Sequence, residues 1–201
     1  MKITVFQLGQ LGANCYIVTD EQTGSCAVVD PGGEGKELAL WLKEQNLTPK
    51  YLFLTHYHFD HVGGIDELTE AFPGLPVYLH PAEIGLPVHT GTGFPKWTHN
   101  YKEGDTFSMD SLTFRVYSTP GHTPGSVCIA VDDVLLTGDT LFQGSCGRTD
   151  FPGGSWEQMM SSLRRLASLP GDPHVLSGHG PESTLEKERA RNPYMKEALT
   201  R

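Results

Sequence analysis

Residues 55–64 read Thr-His-Tyr-His-Phe-Asp-His-Val-Gly-Gly and follow directly on the apolar run Tyr51-Leu52-Phe53-Leu54. A short aromatic and aliphatic run of this kind reads as a buried strand. Three imidazoles and one carboxylate (His56, His58, Asp60, His61) are therefore crowded where a strand ends. In extended chain, residues two apart project to the same side, so His56 and His58 can grip one ion together. Asp60 and His61 come just after, where the chain turns toward its next element, and can face a second ion. Neutral imidazole suits zinc and iron, while a carboxylate suits harder cations or a shared site. A purification tag would sit at a terminus and would carry no interleaved Asp.

Three later places add ligand-grade side chains beside glycines, each after a run that reads as a strand. They are His122 in Thr119-Pro120-Gly121-His122-Thr123-Pro124-Gly125-Ser126, Asp139 in Leu136-Thr137-Gly138-Asp139-Thr140, and His179 in Ser177-Gly178-His179-Gly180-Pro181. Each alone is weak, since a histidine or aspartate beside glycine is most often a turn residue. Together with the decapeptide they supply five His and two Asp, enough for two ions with one bridging carboxylate.

The surrounding pattern is layered α/β. Short β-rich runs occur at residues 2–8, 15–18 and 26–30, followed by an amphipathic helix over 35–46 with Leu38, Trp41 and Leu42 at helical spacing. Strand 50–54, a helix over 62–71 and strand 77–79 come next, and Pro73-Gly74 ends that helix. Strands resume at 112–117, 127–131 and 134–137. A helix over 155–168 carries Trp156, Met159, Met160, Leu163 and Leu166 on one face, with Ser155 as its N-cap. A last strand at 174–176 precedes two charged helical turns. Two successive groups of strands and helices fit two sheets face to face with helices outside, in one domain spanning 1–201. Residues 84–105 show no clean period and are placed over the pocket. His80, His89, His99 and His174 read first as ordinary structural or surface residues, with His89 and His99 the likeliest of the four to line the pocket.

Fifteen basic against 24 acidic residues give a net charge of −9, which argues against a sequence-independent grip on nucleic acid. Cys15, Cys26, Cys128 and Cys146 are widely spaced and read as reduced, buried thiols. No leader pattern and no run of 18 apolar residues is seen, so the expectation is a cytoplasmic protein away from membranes. Its oligomeric state is left open.

The order T-H-x-H-x-D-H, G-H-T-x-G-S, G-D-T-L-F and G-H-G resembles the metallo-β-lactamase superfamily over essentially the whole chain. Gly144-Ser145-Cys146-Gly147-Arg148 after Gly138-Asp139-Thr140-Leu141-Phe142 is similar to the glyoxalase II (hydroxyacylglutathione hydrolase) branch, with the short form the closer match. The resemblance implies a four-layer αβ/βα sandwich with metals at one edge of the two sheets. It also implies that His56, His58 and His122 hold one metal and Asp60, His61 and His179 a second, with Asp139 bridging. Two divalent ions are expected, zinc first, with iron and manganese fitting the same donors. Asp60 and Asp139 are the carboxylates placed in catalysis, in which a bridging hydroxide would attack a thioester carbonyl directly. Arg148 is the candidate for holding an anionic substrate tail, because a guanidinium can grip a carboxylate bidentately. The substrate expected is a small thioester of the S-lactoylglutathione type.

Three departures bear on the glutathione part. Only 22 residues follow His179, where long-form relatives carry a helical domain. Gly180-Pro181-Glu182 stands where they have Glu-Tyr-Thr, and Thr149-Asp150 replaces an aromatic pair. The nearest rival is a persulfide dioxygenase with one iron, whose motif the stretch Cys146-Gly147-Arg148-Thr149-Asp150-Phe151 also matches. A β-lactamase, an RNA-processing nuclease and a zinc-binding protein with a degenerate centre rank lower.

Overall fold

A computed structural model of the chain describes residues 1–86 and 95–200. The first sheet contains, in spatial order, β1 (Lys2–Leu8), β2 (Ala13–Thr19), β3 (Ser25–Val29), β4 (Thr48–Phe53), β5 (Val77–Leu79) and β6 (His99–Asn100). Helix α1 (Gly35–Glu44) connects β3 to β4, while α2 (Phe59–Val62) and α3 (Ile65–Ala71) lie between β4 and β5. The second half supplies β7 (Thr106–Met109), β8 (Leu112–Ser118), β9 (Val127–Val131) and β10 (Val134–Gly138). A small hairpin follows, β11 (Leu141–Phe142) with β12 (Ser145–Cys146). Helix α4 (Trp156–Ala167), β13 (His174–Ser177), β14 (Ser183–Thr184), α5 (Leu185–Arg191) and α6 (Pro193–Thr200) complete it. The second sheet runs β14-β13-β10-β9-β8-β7.

Strand alternation shows why the two sheets stack. Tyr16, Val18, Ala27, Val29 and Phe53 of the first sheet meet Phe114, Val116, Ile129, Val134, Leu136 and Leu176 of the second in one buried cluster. Their neighbours Cys15, Ile17, Cys26, Val28 and Leu52 face the other way, onto Leu38 and Leu42 of α1 and Ile65 and Leu68 of α3. Cys128, Leu135 and Val175 do the same against Met159, Met160, Leu163 and Leu166 of α4. β2 and β3 are buried at every residue, so they read as unbroken apolar runs rather than alternating ones. Helix, sheet, sheet, helix is the four-layer αβ/βα sandwich, with each sheet covered on its outer face.

The helix expected over 62–71 is broken. α2 stops at Val62 and α3 begins at Ile65 because Gly63 and Gly64 lie against the Pro31–Gly33 turn. A β-carbon on either would lie 2.5 Å from Gly32 O or 2.8 Å from Gly33 O. Within 84–105, the surface role expected first for His99 is the one observed. His99 sits exposed on edge strand β6 with its ring 5.1 Å from Tyr78, away from the pocket, and His89 lies outside the described residues. No described helix is long and apolar enough to cross a membrane.

Candidate metal centre

Strand direction brings the ligand candidates together. β8 and β10 are both antiparallel to β9 and so run the same way, and β13 is parallel to β10. The segments leaving β8, β10 and β13 therefore emerge at one edge of the second sheet, carrying His122, Asp139 and His179. The segment leaving β4 joins them there: Val127 N at the start of β9 donates to Thr55 O (2.9 Å).

Three groups of described residues have ligand atoms within 4.8 Å of one another. Two of them share no residue and form the candidate ion clusters: His56, His58 and His122, and Asp60, His61 and His179. The third, Asp30 with His56 and His61, takes one ring from each. Asp139 lies between them. Its Oδ2 is 3.5 Å from His122 Nε2 and 3.8 Å from His179 Nε2, and its Oδ1 is 3.4 Å from His61 Nε2. Asp60 and His61 occupy the single turn of α2, which folds the end of the decapeptide back toward His56.

The outer nitrogens are pinned by acceptors, which sets the tautomers. Asp30 accepts from Thr55 N (2.7 Å) and from Thr55 Oγ1 (2.6 Å), and its Oδ2 is 3.0 Å from His61 Nδ1. With its proton given to Asp30, Thr55 Oγ1 accepts from His56 Nδ1 at 3.1 Å. His122 Nδ1 donates to Arg148 O (2.7 Å). A ring that donates through Nδ1 turns Nε2 inward as a lone pair, the arrangement a metal-bound histidine requires.

This set fits divalent cations. His56 Nε2, His61 Nε2 and Asp139 Oδ1 are buried and make no hydrogen bond among the described residues. Buried polar atoms are otherwise almost always satisfied, because leaving one bare costs about 1–3 kcal/mol. Burial holds His56 far below the ordinary histidine range, so it stays neutral. Burial also opposes charge on His61, but the carboxylates of Asp139, Asp30 and Asp60 override it and push that pKa up to about 9. Burial alone would raise Asp60, yet the hydrogen bond from His179 and the nearby His61 bring it down to about 2. Without metal, His61 is thus protonated at any pH below about 9, and a cation needs its lone pair. Metal loading should therefore expel protons, and fewer above that pH. Calorimetry in buffers of different ionisation enthalpy should show proton release falling by up to about one proton per chain between pH 7.5 and pH 10. Unchanged release would contradict the carboxylate control of His61.

Asp30 was not anticipated as part of the site. It ends β3 in a left-handed turn (φ 52°) before Pro31, which in sequence looks like a punctuation aspartate. Asn14 and Tyr16 also act here. Asn14 Nδ2 donates to Ser177 O (2.9 Å) and Gly180 O (3.0 Å), and Tyr16 Oη donates to Ser177 O (2.7 Å), fastening the loop that carries His179.

The centre floors a cavity of about 520 Å³ walled by Leu11, Phe59, Phe142 and Phe151, with Arg148 at its edge. Arg148 forms a bidentate pair with Asp150 (2.6 and 2.7 Å), and its guanidinium carbon lies 3.9 Å from the centre of the Phe151 ring.

Residues 8–179 match the model of the metallo-beta-lactamase superfamily. The chain belongs to that superfamily. Relatives include the probable metallo-hydrolase YqgX of Bacillus subtilis, 39% identical over 97% of this chain and 98% of that protein. The hydroxyacylglutathione hydrolase GloC of Haemophilus influenzae is 33% identical over 97% of this chain and 98% of its own, consistent with the glyoxalase II-like branch. Among solved structures, the BLEG-1 B3 metallo-beta-lactamase superposes with a TM-score of 0.86 at 34% identity, covering 96% of this chain and 99% of that one. TTHA1623 in a di-iron-bound form gives 0.81 at 36%, covering 95% and 99%. ETHE1 from Myxococcus xanthus gives 0.82 at 27%, covering 99% and 88%. The superfamily fold and the clustered His and Asp side chains make this a metal-dependent enzyme of the metallo-hydrolase type.

Proposed function

We propose that the chain hydrolyses thioesters at a dinuclear centre, with S-acylglutathione compounds of the hydroxyacyl type as the first candidates. The observation that carries this reading is the Asp139 carboxylate standing between two complete ligand clusters. His56, His58 and His122 would hold one ion, and Asp60, His61 and His179 the other, with Asp139 shared. Two divalent cations there would ionise water near neutral pH and polarise a carbonyl. Zinc suits this donor set, and the di-iron form of TTHA1623 supports iron as an alternative.

The chain's own groups supply placement. Phe59, Phe142, Phe151 and Leu11 wall the cavity and offer apolar surface to an acyl group. No cysteine is placed to act as a covalent nucleophile. Cys15, Cys26 and Cys128 are buried in the core, and burial pushes the Cys146 thiol up to about 11. Asp60 and His179, whose ligand atoms stand 3.1 Å apart, would both turn to the second ion when it is bound. Arg148 would receive an anionic substrate tail, for which the bidentate geometry now filled by Asp150 is the template.

The second reading, a mononuclear iron persulfide dioxygenase, would leave the Asp60, His61 and His179 cluster without a task. Protein of measured metal content, offered S-lactoylglutathione, a simple thioester, a lactone, a β-lactam and glutathione persulfide, separates the readings. Thioester cleavage is the expected activity. Consumption of the persulfide alone, with oxygen uptake, would overturn it.

A further inference from the structure

Glu83 ends the 3-10 turn Pro81–Glu83 after β5, far along the chain from every ligand candidate, and is completely buried. Its two oxygens reach two different ligand loops. Oε2 accepts from Tyr57 N (3.0 Å), the residue between His56 and His58. Oε1 accepts from Gly125 N (2.6 Å), and the Thr123 side chain also bonds the carboxylate, both within the turn that carries His122. The fit at Gly125 is close: a β-carbon there would lie 2.6 Å from Glu83 Oε1 and 2.7 Å from Glu83 Cγ. Every one of these bonds has Glu83 as acceptor. A buried carboxylate stabilised by donors alone is costly to keep and is normally retained where its geometry is needed.

We propose that Glu83 is a positioning residue for the first metal: its carboxylate ties the His56–His58 segment to the His122 turn and so sets the spacing of that three-imidazole cluster. The cluster formed by Asp60, His61 and His179 receives no hydrogen bond from Glu83 and depends instead on Asp30 and on the Asn14 and Tyr16 contacts. The inference rests on the ligand assignment and not on the substrate.

Glu83→Gln tests it chemically. An amide keeps one acceptor oxygen but turns an NH2 toward a backbone N–H that needs an acceptor, so one of the two loops is released. Glu83→Asp keeps the charge but is one methylene too short to reach both N–H groups. The measurement is a zinc titration of each full-length variant, following the assigned imidazole 15N signals ring by ring, with thermal denaturation of the metal-free proteins alongside. The zinc concentration that shifts His56, His58 and His122 should rise about tenfold or more, the scale seen when groups behind metal ligands are removed. His61 and His179 should respond as in the unmodified protein. Equal weakening at all five rings, an unchanged titration in both variants, or loss of fold in both would overturn the role. If no ring responds to zinc in the unmodified protein, the fault lies with the ligand assignment itself.

Discussion

Asp139→Ala should lose about one of two bound metal ions per chain and lower kcat/KM for a thioester by about a thousandfold or more. The magnitude follows from removing several kcal/mol of stabilisation at a centre where each 1.36 kcal/mol is about a factor of ten. The oxygens of Asp139 lie near the inward nitrogens of both clusters, 3.4 Å from His61 Nε2 and 3.5 Å from His122 Nε2. Without it, five neutral imidazoles and Asp60 would face four positive charges, and mutual repulsion would favour single occupancy. Asp139→Asn, which keeps the shape and one oxygen but not the charge, should fall between the two. Metal analysis by mass spectrometry together with steady-state kinetics checks this. Full activity with two ions in the alanine variant would refute a bridging role.

The second large effect is steric. Gly178 joins β13 to His179, donates its N–H to Gly138 O (2.8 Å) and accepts from Asn14 N (2.7 Å). Its φ is not in the left-handed region, so backbone freedom is not the reason a glycine stands there. Contact is the reason. A β-carbon at this position would run into Asp139 Oδ1 and lie 2.7 Å from His61 Cε1. Gly178→Ala must therefore push Asp139 or the His179 loop outward. A displacement of about 1 Å at reacting groups commonly costs about a hundredfold in rate, and a loss of that size in kcat/KM is expected. Metal should be lost mainly from the cluster containing His61 and His179. An alanine variant with normal metal content and kinetics would show that the loop can yield without consequence.

The candidate ligands were legible because their signal is local. His56, His58, Asp60 and His61 lie within six positions, and His122, Asp139 and His179 each end a recognisable strand. The layered order of strands and helices was legible for the same reason, since α1 and α4 carry apolar residues at helical spacing. What sequence reasoning missed is held by long-range contact. Asp30 meets Thr55 and His61 across 25 and 31 residues, and Glu83 meets Tyr57 and Gly125 across 26 and 42. Nothing near Asp30 or Glu83 in the chain distinguishes them from a turn aspartate and a helix-start glutamate. The two-residue strands β6, β11, β12 and β14 are too short to show a period. The break at Gly63-Gly64 had a visible cue in the paired glycines, but its cause is the Pro31–Gly33 turn some thirty residues earlier.

On the proposed mechanism, thioester cleavage needs two cations and not one. Metal-stripped protein titrated with zinc while S-lactoylglutathione hydrolysis is followed decides it. Activity that rises until two equivalents per chain are bound is the predicted result. Activity complete at one equivalent, or hydrolysis absent at any zinc content, would contradict it.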